Sequence, residues 1–80
     1  MNSLSAAIAL LEARDWQAAH EIVRDDDDRL ASWAHGIVHL LEGDEANARY
    51  WYDLARRAFP QAGEIDAEIA ALKSSAGGRS

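Results

Sequence analysis

The chain has 80 residues, a formal net charge of -6 and no cysteine. This length forms one small domain with a modest core and leaves no room for a separate catalytic lobe, while the negative charge disfavours nucleic acid because phosphate backbones would be repelled. The lack of cysteine excludes disulfides and fits a cytoplasmic location, and the apolar run Leu4–Leu11 is too short and too closely followed by charge to indicate a membrane span or signal peptide.

The first two predicted helices are short. The first follows Ser3 and carries its apolar residues on one stripe: Leu4, Ala7, Ile8 and Leu11. The second runs from about Trp16 to Arg24, and Asp15 is available as its N-cap because a short acidic side chain can accept the free backbone N–H groups of a first turn.

Four consecutive aspartates, Asp25 to Asp28, follow the second helix. A calcium loop alternates its oxygen ligands with other residues and needs a glycine at its bend and a distal glutamate, which this run lacks. An aspartate N-cap, with neighbours that interact favourably with the positive end of the helix dipole, explains the run better. The aspartates therefore predict the start of a helix rather than a calcium site.

The third predicted helix, about Asp27 to Glu42, is apolar nearly all round, which indicates a helix buried on more than one side. Gly43 supplies a left-handed residue at its end, and Asp44 then caps the fourth helix with Asn47 in position to reach back.

The fourth predicted helix runs from Glu45 to about Phe59, where Pro60 stops it. Three charged residues at i, i+4 spacing form a ladder on its solvent face: Arg49, Asp53 and Arg57. A fifth helix, about Gly63 to Lys73, is expected to cover the open end of the stack. Residues 1–73 would then form a single domain, and the small, polar residues 74–80 are expected to be a disordered tail.

The stretch from Gly36 to Pro60 has the small, aromatic and breaker residues of one helical repeat unit. From Gly36 the matching positions are Gly43, Ala48, Tyr52, Ala55 and Pro60. This spacing resembles the tetratricopeptide repeat, with one full unit and a degenerate one upstream, around Arg14 to Ala19. The resemblance implies an all-α, five-helix stack of antiparallel helical hairpins. The sequence departs from the repeat at His35 and His39, which stand where leucine and tyrosine are expected.

A second resemblance covers His35 to Tyr52. The run His-x3-His-x2-Glu-Gly-Asp-x2-Asn-Ala-x-Tyr-Trp-Tyr is similar to a signature of small bacterial and fungal helical proteins of uncharacterised activity. It supports the predicted helical fold and implies no mechanism.

In the tetratricopeptide repeat, one face of the first helix lines the partner-facing surface. The equivalent positions here are Leu30, Trp33, Ile37 and Leu41. Because these residues are apolar, either the first and fifth helices cover them or they contact another chain. The sequence therefore favours a non-enzymatic protein-interaction module that binds a protein partner or forms a homodimer.

The third helix also carries a polar strip, because His35, His39 and Glu42 lie at i, i+4, i+7 spacing on one face. Three interpretations remain open. In the favoured structural one, Asn47, Tyr50 or Tyr52 hydrogen-bonds the imidazoles. In the second, the strip is half of a metal site that His20 or a second chain must complete. In the third, the strip forms a small-ligand pocket.

The predicted ligand-binding residues are His35, His39, Glu42, Asn47 and Tyr50. No catalytic residue is assigned because neither a cysteine nor a serine paired with a base is recognisable, and no cofactor or complete metal-ligand set is predicted.

Overall fold

The computed structural model describes residues 3–77, and within that range the chain forms five α-helices and no strand. The helices are α1 (Ser3–Glu12), α2 (Trp16–Val23), α3 (Arg29–Glu42), α4 (Glu45–Ala55) and α5 (Ile65–Gly77). The predicted all-α class with five helices is confirmed. No helix in residues 3–77 combines the length and the apolar character needed to cross a bilayer.

The helix boundaries follow the predicted capping residues. Three aspartate side chains accept an N-terminal backbone N–H: Asp15 from Ala18, Asp28 from Leu30 and Asp44 from Asn47, at 3.1–3.2 Å. Gly43 has φ of 90° and ends α3 in the left-handed conformation. Because each aspartate satisfies one of the free backbone N–H groups at its helix start, local sequence helps to define where these helices begin.

The end of α4 differs from the prediction. The helix stops at Ala55 rather than near Phe59, because Arg56 is left-handed, with φ of 60°, and its N–H turns back to carbonyls of the last turn. Pro60 therefore lies in the following loop and does not itself end the helix.

The predicted charged ladder on α4 is also wrong. Arg57 lies beyond the helix end, and its guanidinium stands over the Trp33 ring, 3.7 Å from the ring centroid. Arg49 pairs with Glu45, one turn earlier, at 2.8 Å. The shortened helix removes Arg57 from the i, i+4 register on which the prediction depended.

Helix α5 continues past Lys73, where the domain was predicted to end. Residues 74–77 are helical, so the predicted disorder is wrong for them, while residues 78–80 lie outside the described range. Two contacts explain the extension: Lys73 Nζ lies 3.0 Å from Glu12 Oε2 of α1, and Ala76 packs against the core. Arg14, after α1, also pairs with Asp66 of α5.

Helix α3 lies at the centre and packs against all four other helices. Two of the four predicted interface residues, Trp33 and Ile37, are 2% and 0% exposed, so the prediction of a docking surface at these positions is wrong. Leu30 and Leu41 are half-buried against the same core. The reason is that α1 and α5 pack on α3 and cover its apolar surface.

A shared carboxylate oxygen connects α5 to the two central helices. Glu68 Oε1 accepts hydrogen bonds from Trp33 Nε1 at 3.1 Å and from the Tyr52 hydroxyl at 2.6 Å. Burial, with a further effect from Glu68, raises the pKa of the Tyr52 hydroxyl well above its usual range, so this group remains a hydrogen-bond donor. The polar ends of both aromatic rings are thereby satisfied inside the core.

Helices α3 and α4 are joined at Gly43 and Asp44 and pack against each other. Gly36 allows the two helices to approach closely, because a Cβ atom there would lie 2.5 Å from Tyr52 Cδ1 and 3.5 Å from the Ala48 carbonyl oxygen. The predicted proximity of Gly36 to Ala48 and Tyr52 is confirmed.

Replacing Gly36 with alanine is expected to destabilise the fold by about 1–2 kcal/mol. Overpacking against the buried, hydrogen-bonded Tyr52 ring costs more than the ~1 kcal/mol that alanine gains in helix propensity. Urea unfolding measures the difference, with Gly77→Ala as the control because a Cβ there meets nothing within 4 Å. Equal or greater stability of Gly36→Ala would contradict the close packing.

Candidate functional site

The three histidines of the chain converge on one cluster, although they belong to two helices. His20 comes from α2, and His35 and His39 lie one turn apart on α3. One ring nitrogen from each residue lies within 4.8 Å of the others. His35 and His39 are buried and His20 is half-buried, so the cluster extends from the α2–α3 interface toward the surface.

His35 is the most constrained member of the cluster. Trp51 of α4 stacks on its ring, with centroids 3.7 Å apart and planes 8° from parallel. The residue is 4% exposed, and its Nδ1 atom has no hydrogen-bond partner among the described residues. Burial, and then the electrostatic interaction with the neighbouring His20 and His39 rings, lowers the His35 pKa to about 4, while the Val23 backbone carbonyl opposes the shift.

His39 is held by a carboxylate from its own helix. Its Nδ1 lies 2.7 Å from Glu42 Oε1, and because an ionised carboxylate only accepts, the ring donates this bond from Nδ1–H. Glu42 and Asp44 form a second acidic group with His39. Asp44 already caps α4, and hydrogen bonds from the Asn47 side chain and backbone lower the pKa of its carboxyl group.

The structure brings together three of the five predicted ligand-binding residues. His39 lies beside both His35 and Glu42, whereas Asn47 donates to Asp44 at 2.9 Å. Tyr50 is 58% exposed, with its ring edge-on to Trp51. These last two residues point to partners other than the imidazoles, because they occupy the first turn and the outer face of α4.

The favoured structural interpretation predicted that Asn47, Tyr50 or Tyr52 hydrogen-bonds the imidazoles. The structure shows other partners, so this part of the interpretation is wrong. The Tyr52 hydroxyl, a predicted partner of the imidazoles, donates instead to Glu68 on α5. The imidazoles contact one another, Trp51 and Glu42.

Two residues of the cluster, His20 and Trp51, are absent from the predicted ligand-binding set. His20 was considered only as a possible helper of a metal half-site, because spacing along α3 cannot show what α2 brings beside it. Trp51 is half-buried and covers His35, a contact between two helices that spacing along α4 alone does not indicate. The available signal was the small number of histidines: the chain has three, and two already share a helix face.

Three imidazoles form a donor set suited to zinc, copper or nickel, and such a set requires neutral rings. The low pKa of His35 keeps that ring neutral at physiological pH. The cluster can therefore present three nitrogen ligands to one cation.

Comparisons with known proteins add no family to this description. No protein-family model, no curated protein and no solved structure matches the chain.

The metal-free protein is expected to lose stability as the pH falls from 6.5 toward 4. The His35 pKa is about 4 in the folded chain and 6.5 without the fold, so the unfolded chain takes up this proton first. At 1.36 kcal/mol per pKa unit, this difference contributes about 3 kcal/mol to the free energy of unfolding above pH 6.5. The contribution is lost as the pH falls to about 4.

Urea unfolding with a chelator present, at several pH values between 6.5 and 4, measures this loss of stability. His35→Gln removes the titrating ring and should give a shallower pH dependence between the same limits. A wild-type profile as shallow as that of the variant would contradict the low pKa.

Proposed function

We propose that the protein binds a divalent transition-metal ion, with zinc as the reference ion, through His20, His35 and His39. Two observations carry the proposal: all three histidines converge on one cluster, and the buried His35 Nδ1 atom has no hydrogen-bond partner among residues 3–77. Leaving such an atom unsatisfied costs about 1–3 kcal/mol, and a bound cation would remove that cost.

The orientation of each buried ring supports metal coordination. Val23 contributes a backbone carbonyl to His35, and because Nδ1 is unpartnered this contact is assigned to Nε2. Glu42 accepts from His39 Nδ1 and leaves Nε2 for the cluster. Metal-bound histidines usually donate their second ring N–H to a carbonyl or a carboxylate in this way.

The spacing of the cluster requires a modest closure around a metal ion. Two nitrogens bound to one tetrahedral zinc at about 2.0–2.1 Å lie about 3.3 Å apart, while the cluster nitrogens lie within 4.8 Å of one another. His20 is half-buried and can rotate inward, whereas His35 is held under Trp51. We therefore expect His20 to complete the site when the metal binds.

A bound metal would also join two parts of the fold. His20 belongs to α2, which packs on α1, and the other two ligands belong to α3, which packs on α4. Small domains without disulfides commonly gain stability from a structural metal. We propose that the ion stabilises the contact between the α1–α2 and α3–α4 pairs.

Zinc is expected to raise the melting temperature of the wild-type protein and to have a much smaller effect on His20→Ala. At a zinc concentration of 100 Kd, binding stabilises the fold by about 2.7 kcal/mol, or about 10 °C or more for a domain of this size. His20→Ala removes a half-buried ligand without opening a cavity in the core.

Thermal melts with zinc and with a chelator measure the difference. Gln17→Ala, an exposed substitution on the same helix, is the matched control and should respond to zinc as the wild type does. The absence of a zinc-dependent shift in the wild type, or an equal shift in His20→Ala, would refute the proposal.

A protein-interaction role is a second candidate, as a cytoplasmic module in which α3 and α4 form a tetratricopeptide-like unit. The close approach at Gly36 and the burial of Ala48 and Ala55 support the likeness. The observation that favours an interaction is the exposure of Tyr50 and Leu54, 58% and 48%, one turn apart on α4. Paired exposed apolar side chains of this kind can anchor a contact with a second copy of the chain.

Sedimentation velocity across a dilution series tests the homodimer. We expect a concentration-dependent dimer that is weakened when Tyr50 and Leu54 are both replaced by serine, because the apolar contact area is lost. Asp53→Asn, between them on the exposed side of α4, is the control. A monomer at every concentration would contradict the homodimer.

A further inference from the structure

We propose that Glu42 is a positioning residue for the metal site: it orients His39 and fixes the tautomer that presents Nε2 to the cation. The inference rests on the metal site proposed above. Its basis is the 2.7 Å hydrogen bond between His39 Nδ1 and Glu42 Oε1, beside a cluster in which His39 supplies one nitrogen.

The local backbone holds this pair in place. His39 and Glu42 lie three residues apart on the last turn of α3, where i, i+3 side chains are neighbours. The backbone N–H groups of Gly43 and Asp44 both donate to the His39 carbonyl, at 3.0 and 2.9 Å. The left-handed Gly43 therefore fixes the end of the helix that carries both side chains.

The hydrogen bond restricts what His39 can bind. A neutral imidazole has one N–H donor and one free nitrogen, so the donor role of Nδ1 toward Glu42 leaves Nε2 as the metal ligand. Outer carboxylates of this kind orient the ring and increase its basicity, and their loss typically reduces metal affinity by about 10- to 100-fold.

A competing arrangement would place the cation between His39, Glu42 and Asp44. Two features disfavour it. His39 Nδ1 would have to give up its hydrogen bond to become a ligand, and the Asp44 carboxylate is engaged by the backbone N–H and side-chain amide of Asn47, at 3.2 and 2.9 Å. In this arrangement Glu42 would be a direct ligand rather than a positioning residue.

Calorimetric titration of the folded chain with zinc distinguishes a positioning residue from a direct ligand. The two variants compared are Glu42→Ala and Glu42→Gln. Glu42→Ala should bind zinc about 10- to 100-fold more weakly than the wild type. Glu42→Gln should remain within about threefold, because its amide oxygen can still accept from His39 Nδ1–H. Asp53→Ala, which removes an exposed carboxylate from α4, is the matched control and should bind as the wild type does.

The affinities also identify the outcomes that would overturn the inference. Equal binding by Glu42→Ala and the wild type would exclude a positioning role. A loss in Glu42→Gln as large as that in Glu42→Ala would make Glu42 a direct ligand. A comparable loss in Asp44→Asn, which retains a good helix N-cap, would place the cation in the competing arrangement.

A measurement without metal keeps this inference separate from the metal proposal. Long-range proton–nitrogen NMR spectra report which imidazole nitrogen carries the proton. We expect His39 to be protonated at Nδ1 in the wild type and in Glu42→Gln, and to show mixed tautomers in Glu42→Ala. Failure of the wild type to bind zinc would refute the metal site, whereas an unchanged tautomer in Glu42→Ala would refute the role of Glu42.

Discussion

The close approach of α3 and α4 at Gly36 is the contact on which most of the structure depends. The Tyr52 ring lies where a side chain at position 36 would be, which sets the register between the two helices. This register places the neighbouring residue Trp51 over His35, and it directs the Tyr52 hydroxyl to Glu68 on α5. The absence of a side chain at Gly36 thus positions Trp51 over His35 and Tyr52 for its hydrogen bond to α5.

The packing of the other helices around α3 buries most of that helix in the core of the domain. Surface ion pairs between α1 and α5 contribute little individually, so the Glu68 hydrogen bonds to Trp33 and Tyr52 are the more specific restraint on α5. Because Trp33 is buried, the apolar surface of α3 forms part of the core and is not available to a partner. Any contact with another chain must then use the outer surfaces, such as the exposed side of α4.

The same burial makes the polar strip of α3, His35, His39 and Glu42, unfavourable for the free energy of folding. A buried polar group needs a hydrogen-bond partner, and His39 finds one in Glu42 while His35 Nδ1 has none among the described residues. Three clustered imidazoles would also repel one another if protonated. Departures of this kind from good core packing are concentrated at functional sites, and coordination of one cation would resolve both difficulties.

The sequence by itself determined the helical class, the aspartate caps, the Gly43 turn and the close approach of α3 and α4 at Gly36, because these depend on local spacing and on small residues. It also placed His35, His39 and Glu42 on one face, since they share a helix. Only the tertiary structure decided that α1 and α5 cover Trp33, that α5 extends to Gly77, and that His20 and Trp51 join the cluster. The physical reason is that helical periodicity fixes neighbours within a helix, whereas contacts between helices depend on how all their apolar faces pack together.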